Sequence, residues 1–144
     1  MNVEFRKKEM FKTSGGKYIA PQLIENAMKQ SRFIEQIMVI GDGEKMPAAF
    51  IQLNFDFVKE WQKLHGIPVD NTNEELIRNP KVKERIQDEI EILNKKFGNW
   101  EQIKRFELTP DVWSIAGGHL TPTMKLKRKI VMQKYIDLFD KIYN

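Results

Sequence analysis

The chain has 144 residues, 31% of them charged and 41% hydrophobic, with a formal net charge of +4 and no cysteine. That length suits a single domain, residues 1–144, with a modest core that needs no covalent staples. The lack of cysteine excludes disulfides, thiol nucleophiles and cysteine-based zinc sites, while the mild positive charge permits an anionic partner without requiring one.

The N-terminal MNVEFRKKEM is charged where a secretory signal needs an apolar run. No stretch has the length and apolarity of a membrane span. The expectation is a cytoplasmic chain, at most peripherally associated with a membrane. Phe11 to Thr13 and Lys17 to Ile19 flank Ser14-Gly15-Gly16, which predicts a short hairpin with a glycine turn. Pro21 suits the first turn of a helix that places Ile24, Ala27 and Met28 on one face. Glu35 to Ile40 and Ala48 to Leu53 read as strands joined through Gly41-Asp42-Gly43.

Phe57, Val58, Trp61 and Leu64 predict a helix over 55–64, stopped by Gly66. Thr72 and Glu75 have capping-box spacing for a short helical turn. Asn79-Pro80 opens the clearest helix, in which Val82, Ile86, Ile90, Leu93 and Phe97 repeat at helical spacing until Gly98. Strand-like pieces follow over 103–108 and 112–115. Gly117-Gly118 marks a loop, and Val131, Tyr135, Leu138 and Ile142 predict one C-terminal amphipathic helix. The pattern is α+β: a small antiparallel or mixed sheet with an N-terminal β-hairpin, packed by several helices.

Two loops could carry chemistry. FKTSGGKYIAP, residues 11–21, has Gly-Gly-Lys but is no nucleotide phosphate loop: the upstream glycine is missing, no hydroxyl residue follows Lys17, and a strand comes next. It reads either as a hairpin that needs glycine for its backbone angles or as a place where another molecule approaches the main chain closely. LTPTMKLKRK, residues 120–129, places Lys125, Lys127, Arg128 and Lys129 at the start of a helix. Cations are mildly disfavoured there, so this is either a solvated basic run or a loop that delivers one lysine to a reaction. His65 and His119 are far apart in sequence and read as surface or loop residues. No spacing proposes a metal site or a catalytic triad. The carboxylates Asp88, Glu89 and Glu91 read as a polar helix face. The patch of Arg6, Lys7, Lys8, Lys12 and Lys17 has few interleaved aromatics, so nucleic acid is not an expected partner.

RKKEMFKTSGGKYIAPQLIE, residues 6–25, resembles the segment that opens the small C-terminal domain of AMP-forming acyl-CoA synthetases. ELTPDVWSIAGGHLTPTMKLKRKIV, residues 107–131, resembles the last motif of the same domain, and TPTMKLKR is similar to its long-chain fatty acid branch. The order and spacing of the two strengthen the resemblance, which runs from Arg6 to the C-terminus; residues 55–97 match only in helical character. It implies an enzyme that joins a carboxylic acid to ATP, releasing pyrophosphate, and then passes the acyl group to the thiol of CoA. A large N-terminal adenylation domain of the same chain would hold ATP, magnesium and the fatty acid. The small domain would swing between two poses, one per half-reaction, and would be inactive alone.

Residue by residue, the resemblance makes Lys125 the catalytic lysine of adenylation and Lys8 the hinge, with Met1 to Phe5 as the junction before it. It makes Gly15 and Gly16, with Ser14 and Lys17 beside them, the lining of the CoA pantetheine channel, and it offers Lys127 and Arg128 to CoA phosphates. The chain departs from the wider superfamily in having Met124 where glycine usually precedes the catalytic lysine, and Phe5 before Arg6 where glycine or aspartate is usual. The alternatives are an aryl- or medium-chain acid ligase of the same superfamily, or a stand-alone basic module binding phosphate or nucleic acid.

Overall fold

The computed structural model describes residues 9–144. The expected hinge Lys8 and the junction over 1–5 lie outside the described residues. Two sheets are present among the described residues. The first is a two-stranded antiparallel ribbon of β1 (Phe11–Lys12) and β2 (Tyr18–Ile19), with Phe11 opposite Ile19. The second has the order β3 (Ile34–Ile40), β4 (Ala48–Leu53), β5 (Arg105–Thr109). β3 and β4 pair antiparallel through the Gly41 turn, whereas β4 and β5 are parallel. A parallel pair cannot be closed by a tight turn. Helices α2 (Phe55–Leu64), α3 (Asn73–Arg78) and α4 (Pro80–Asn94) make the crossover. Local side chains start each of them: Asn54 caps Phe57 N at 3.1 Å, Thr72 caps Glu75 N at 3.1 Å and Asn79 caps Lys81 N at 3.0 Å.

Both faces of the central sheet are covered. Ile37, Val39, Ala49 and Ile51 face one core with Ile24 and Met28 of α1 (Pro21–Met28), Val58 of α2 and Val82, Ile86 and Ile90 of α4. The alternate residues Met38, Ile40, Ala48 and Phe50 face a second core with Trp113, Val131, Tyr135 and Ile142. Strand β4 is buried along its whole length, which is why AAFIQL shows no alternation of apolar and polar residues. Each fully buried Ile, Leu or Phe contributes about 1.5–3 kcal/mol relative to exposure.

The architecture is the expected α+β, but four details differ from the sequence reading. Residues 112–115 are not a strand but irregular chain leading into a turn at Ile115: Val112 and Ile115 are exposed, and the main chain is held instead by Trp113 N–H donating to Gln52 Oε1 at 2.9 Å. The C-terminal helix is two helices, α5 (Arg128–Lys134) and α6 (Ile136–Tyr143). They part at Tyr135, which leaves helical dihedrals (φ −115°, ψ 29°); its ring packs edge-on to Phe50. Leu64 is 82% exposed, and the buried face of α2 is Phe55, Val58 and Gln62. His119, expected as a surface or loop residue, lies in a loop but is buried.

Candidate active site

The glycine hairpin is held by main-chain bonds. Thr13 N donates to Lys17 O at 3.0 Å and Gly16 N to Thr13 O at 3.0 Å, closing the turn. Ser14 N donates to Glu44 O and Gly43 N to Lys12 O, each at 2.9 Å, so the ribbon is docked on the β3–β4 turn. Gly41 makes that docking close: a Cβ there would stand 3.0 Å from Met46 O and 3.3 Å from the Phe11 ring. At the tip, Gly16 has φ +82°, a backbone that only glycine adopts readily. Gly15 has no atom within 4 Å of where a Cβ would stand. Ser14, Gly15, Gly16 and Lys17 are all exposed. The Lys17 ammonium lies 5.6 Å from the ring centroid of Trp100, which is half-exposed on the short 3₁₀ turn Asn99–Glu101.

Lys125 stands on a second hairpin. Lys127 N donates to His119 O at 2.8 Å, Leu120 and Leu126 bridge, and Thr121 N donates to Lys125 O at 2.8 Å. Met124 N returns to Thr121 O at 2.8 Å. This three-residue loop, Pro122-Thr123-Met124, ends on a residue in the left-handed region, as such loops do. That residue is Met124, with φ 66°, the one non-glycine with positive φ among the described residues. The Thr121 hydroxyl caps the turn by accepting from Lys125 N at 3.1 Å. Lys125 and Met124 are exposed at the tip. Among the described residues the Lys125 ammonium has no hydrogen-bonded or ion-paired partner.

Arg128 has another task than the one expected from its place in the basic run. Its guanidinium makes a two-pronged pair with buried Glu25, at 2.7 and 2.8 Å. Glu25 Oε2 also accepts from Val39 N at 2.8 Å. Burial pushes the Glu25 carboxyl above its ordinary value, while Arg128 and the Val39 N–H oppose that shift. The pair ties α1, which follows the glycine hairpin, to α5, which follows the lysine hairpin. The two segments singled out in the sequence are thus fastened together across 103 residues. A cleft of about 280 Å³ lies at this junction, lined by Gln22, Glu25, Lys29, Met124, Lys125 and Arg128 among others. It contains none of Ser14, Gly15, Gly16 or Lys17. The glycine tip thus takes no part in lining the cleft that Lys125 lines. Lys127 is half-buried as the first residue before α5.

Sequence reasoning missed Glu25, Trp100 and the role of Arg128. Glu25 did leave a signal: it sits one turn after Pro21 and one residue after Ile24, inside the apolar stripe of α1, where an unpaired charge would be costly. Among the described residues no three His, Asp or Glu side chains gather to hold a metal ion, and no helix is long and apolar enough to cross a membrane.

A family model described as the AMP-binding enzyme C-terminal domain matches residues 9–144. The long-chain-fatty-acid–CoA ligase FadD15 of Mycobacterium tuberculosis is 29% identical over 144 residues, 100% of this chain and 24% of that protein. Long-chain-fatty-acid–CoA ligase 1 of Homo sapiens is 34% identical over 142 residues, 96% of this chain and 20% of that protein. Among solved structures, the adenylation domain of a carboxylate reductase from Mycobacterium chelonae superposes with a TM-score of 0.76 at 20% identity, over 96% of this chain and 20% of that one, which speaks for the fold. The chain spans about a fifth to a quarter of the length of these relatives.

Proposed function

The chain belongs to the family of AMP-binding enzyme C-terminal domains, and on that premise we propose that it serves an ATP-dependent long-chain fatty-acid–CoA ligase, supplying a lysine to one half-reaction and a glycine-lined passage to the other. The observation that carries this reading is the pairing of two built hairpins with opposite tips. One presents the Lys125 ammonium, unpartnered among the described residues. The other presents bare main chain at Gly15 and Gly16.

In the first half-reaction a carboxylate oxygen of the acid attacks the α-phosphorus of ATP and pyrophosphate leaves. Negative charge builds on the oxygens around phosphorus. A monocation on a rigid loop, brought there without reorganisation, stabilises that charge more than the ground state. Lysine suits the task as a compact charge on a flexible stem. In the second half-reaction the CoA thiol attacks the acyl carbonyl and AMP leaves. A thin pantetheine arm could lie along Gly15 and Gly16 because no side chain stands over them, with Lys17 and the face of Trp100 beside the opening for the nucleotide end. Lys127 is a candidate for a CoA phosphate; Arg128, committed to Glu25, is not. On this reading magnesium, ATP and the acid fall to the large adenylation domain of the same enzyme.

Two variants separate the roles in the full-length ligase that carries this domain. Lys125→Ala should lower adenylate formation, read by pyrophosphate exchange, by about 100-fold or more, while acyl transfer from supplied acyl-adenylate persists. Equal losses in both steps would remove Lys125 from its assigned step. Gly15→Trp should do the reverse. The open space at Gly15 makes it a cleaner site than Gly16, whose backbone resists any side chain. Normal thioester formation in Gly15→Trp would sink the channel.

A further inference from the structure

A polar cluster behind the lysine hairpin, centred on buried His119 and Tyr135, has no part in the reading above. His119 Nδ1 accepts from the Ser114 N–H at 3.2 Å, and its Nε2 lies 3.0 Å from the Tyr135 hydroxyl. Tyr135 donates its own proton to Asp111 Oδ2 at 2.8 Å. Its oxygen is therefore left to accept from the ring. These contacts assign the tautomer: neutral, with the proton on Nε2. The ring is stacked on Trp113, 5.7 Å between centroids at 2°. Its other edge is closed by Gly117, where a Cβ would stand 2.9 Å from Nδ1. Ser114 gathers the rest of the loop, its hydroxyl accepting from Gly117 N at 2.8 Å and its carbonyl from His119 N at 3.0 Å. The carbonyl of His119 then accepts from Lys127 N, the first rung of the hairpin whose tip is Lys125.

We propose that neutral His119 is a positioning residue for Lys125, and that protonation of its ring unfastens the base of the lysine hairpin. The inference rests on the reading of Lys125 as the adenylation lysine. Its chemistry is a donor conflict. An imidazolium must carry a proton on Nδ1, which would face the Ser114 N–H across 3.2 Å, and two donors cannot share that contact. The charged groups around the ring are Asp111, reached through Tyr135 and favouring the cation, and Lys134 of α5, opposing it. Burial and Lys134 together hold His119 below the ordinary histidine value of 6.5. The unfolded chain then binds the proton more readily than the folded one, so folded stability is lost as pH falls below the ordinary histidine range.

Two readouts test this. The first is amide and imidazole nitrogen NMR of the 144-residue chain between pH 7.5 and 5. Ring couplings should show the Nε2–H tautomer at neutral pH, and the amides of Ser114, Thr121, Lys125 and Lys127 should shift together with His119. In His119→Asn, which keeps a neutral acceptor near the Nδ1 position, those shifts should vanish. Amides of 121–127 that ignore the titration of His119 would overturn the proposal. The second is the pH profile of adenylation in the full-length ligase. Its kcat should show an acid limb with the midpoint of His119, with KM little changed, and His119→Asn should lack that limb. His119→Ala should slow adenylation by about tenfold or more at every pH and spare transfer from supplied acyl-adenylate. An unchanged acid limb in His119→Asn counts against His119. If Lys125→Ala leaves adenylation intact while the amides still follow His119, the lysine reading has failed and the mechanical link between ring and hairpin has survived.

Discussion

The two hairpins differ in what holds them. The glycine hairpin is fastened by main chain to main chain, through Ser14 to Glu44 and Lys12 to Gly43, and no atom stands within 4 Å of where a Cβ on Gly15 would be. The lysine hairpin has main-chain rungs of the same kind, and to these it adds side chains: the Thr121 hydroxyl within the loop, the ring of His119 behind it and the Arg128 guanidinium on Glu25 after it. On the roles proposed for the two tips, the difference follows from what each would present. A surface that another molecule approaches closely cannot carry side chains, so its support comes from the backbone. A tip that delivers one charge needs its direction set, and only side-chain contacts discriminate direction that finely. The glycine hairpin should accordingly be fragile to added carbon, and the lysine hairpin to deleted polar groups.

The largest effect is expected at Arg128. Arg128→Leu strands the Glu25 carboxyl, 7% exposed, without its cation, and should cost about 3 kcal/mol in denaturant unfolding near neutral pH. The pH dependence has a definite sign. Native Glu25 already holds its proton more tightly than the ordinary value of 4.5, so its contribution to stability falls as pH rises from there through the native pKa. Without the guanidinium that displacement grows, and the deficit of the variant should shrink as pH is lowered. A double variant, Glu25→Met with Arg128→Leu, should recover most of the loss, because two apolar side chains leave no buried charge. A deficit independent of pH, or none at all, would mean the lysine hairpin is not anchored through this pair.

At the other hairpin the test is a single methyl group. Gly41→Ala introduces a Cβ 3.0 Å from Met46 O and 3.2 Å from Pro47 Cα, at a φ of +141°. The expected cost is about 2 kcal/mol. Hydrogen exchange should locate it in Ser14, Gly16 and Gly43 and leave Thr121 to Lys127 protected. Equal deprotection of both hairpins would break the comparison, since it would show that they share one support.

What could be read in advance follows the same division. The glycine hairpin was legible because turn chemistry is local: Ser-Gly-Gly between two short strand-like pieces states its own conformation. The helix over 80–94 was legible because Val82, Ile86 and Ile90 repeat on one face, and Asn79-Pro80 start it. The lysine hairpin was visible only as a basic run before a helix, and the role proposed for it came from a family resemblance. Glu25 and Arg128 lie 103 residues apart, and no local pattern announces such a partner. Tyr135 carries neither proline nor glycine, so the break between α5 and α6 had no sequence mark. Val112 to Ile115 is rich in strand-forming residues yet has no edge to pair with, because Gln52 takes the Trp113 N–H. Nor does a strand show in its own residues that its neighbour will run parallel; for β5 the crossover through α2 to α4 decides that.

The smallest effect tests the lysine tip itself. Met124 occupies the left-handed position that closes the three-residue loop, at a cost of about 1–2 kcal/mol for an L-residue. Its side chain is 59% exposed, so little packing offsets that cost. Met124→Gly removes the strain but gives the unfolded chain more freedom, worth about 0.5–1 kcal/mol the other way. The net should be a stabilisation below about 1 kcal/mol, measured as a small rise in the unfolding midpoint at constant slope. If direction is what the side-chain contacts supply, the glycine variant should also hold Lys125 as Met124 does, with Thr121 and Lys125 amide shifts moving only locally and adenylation retained. A large loss of adenylation with stability intact would show that Met124 contributes its side chain to the reaction, as a wall beside the lysine in the cleft it lines with Glu25 and Arg128, and that this tip, unlike the glycine one, works by what it carries as well as by where it points.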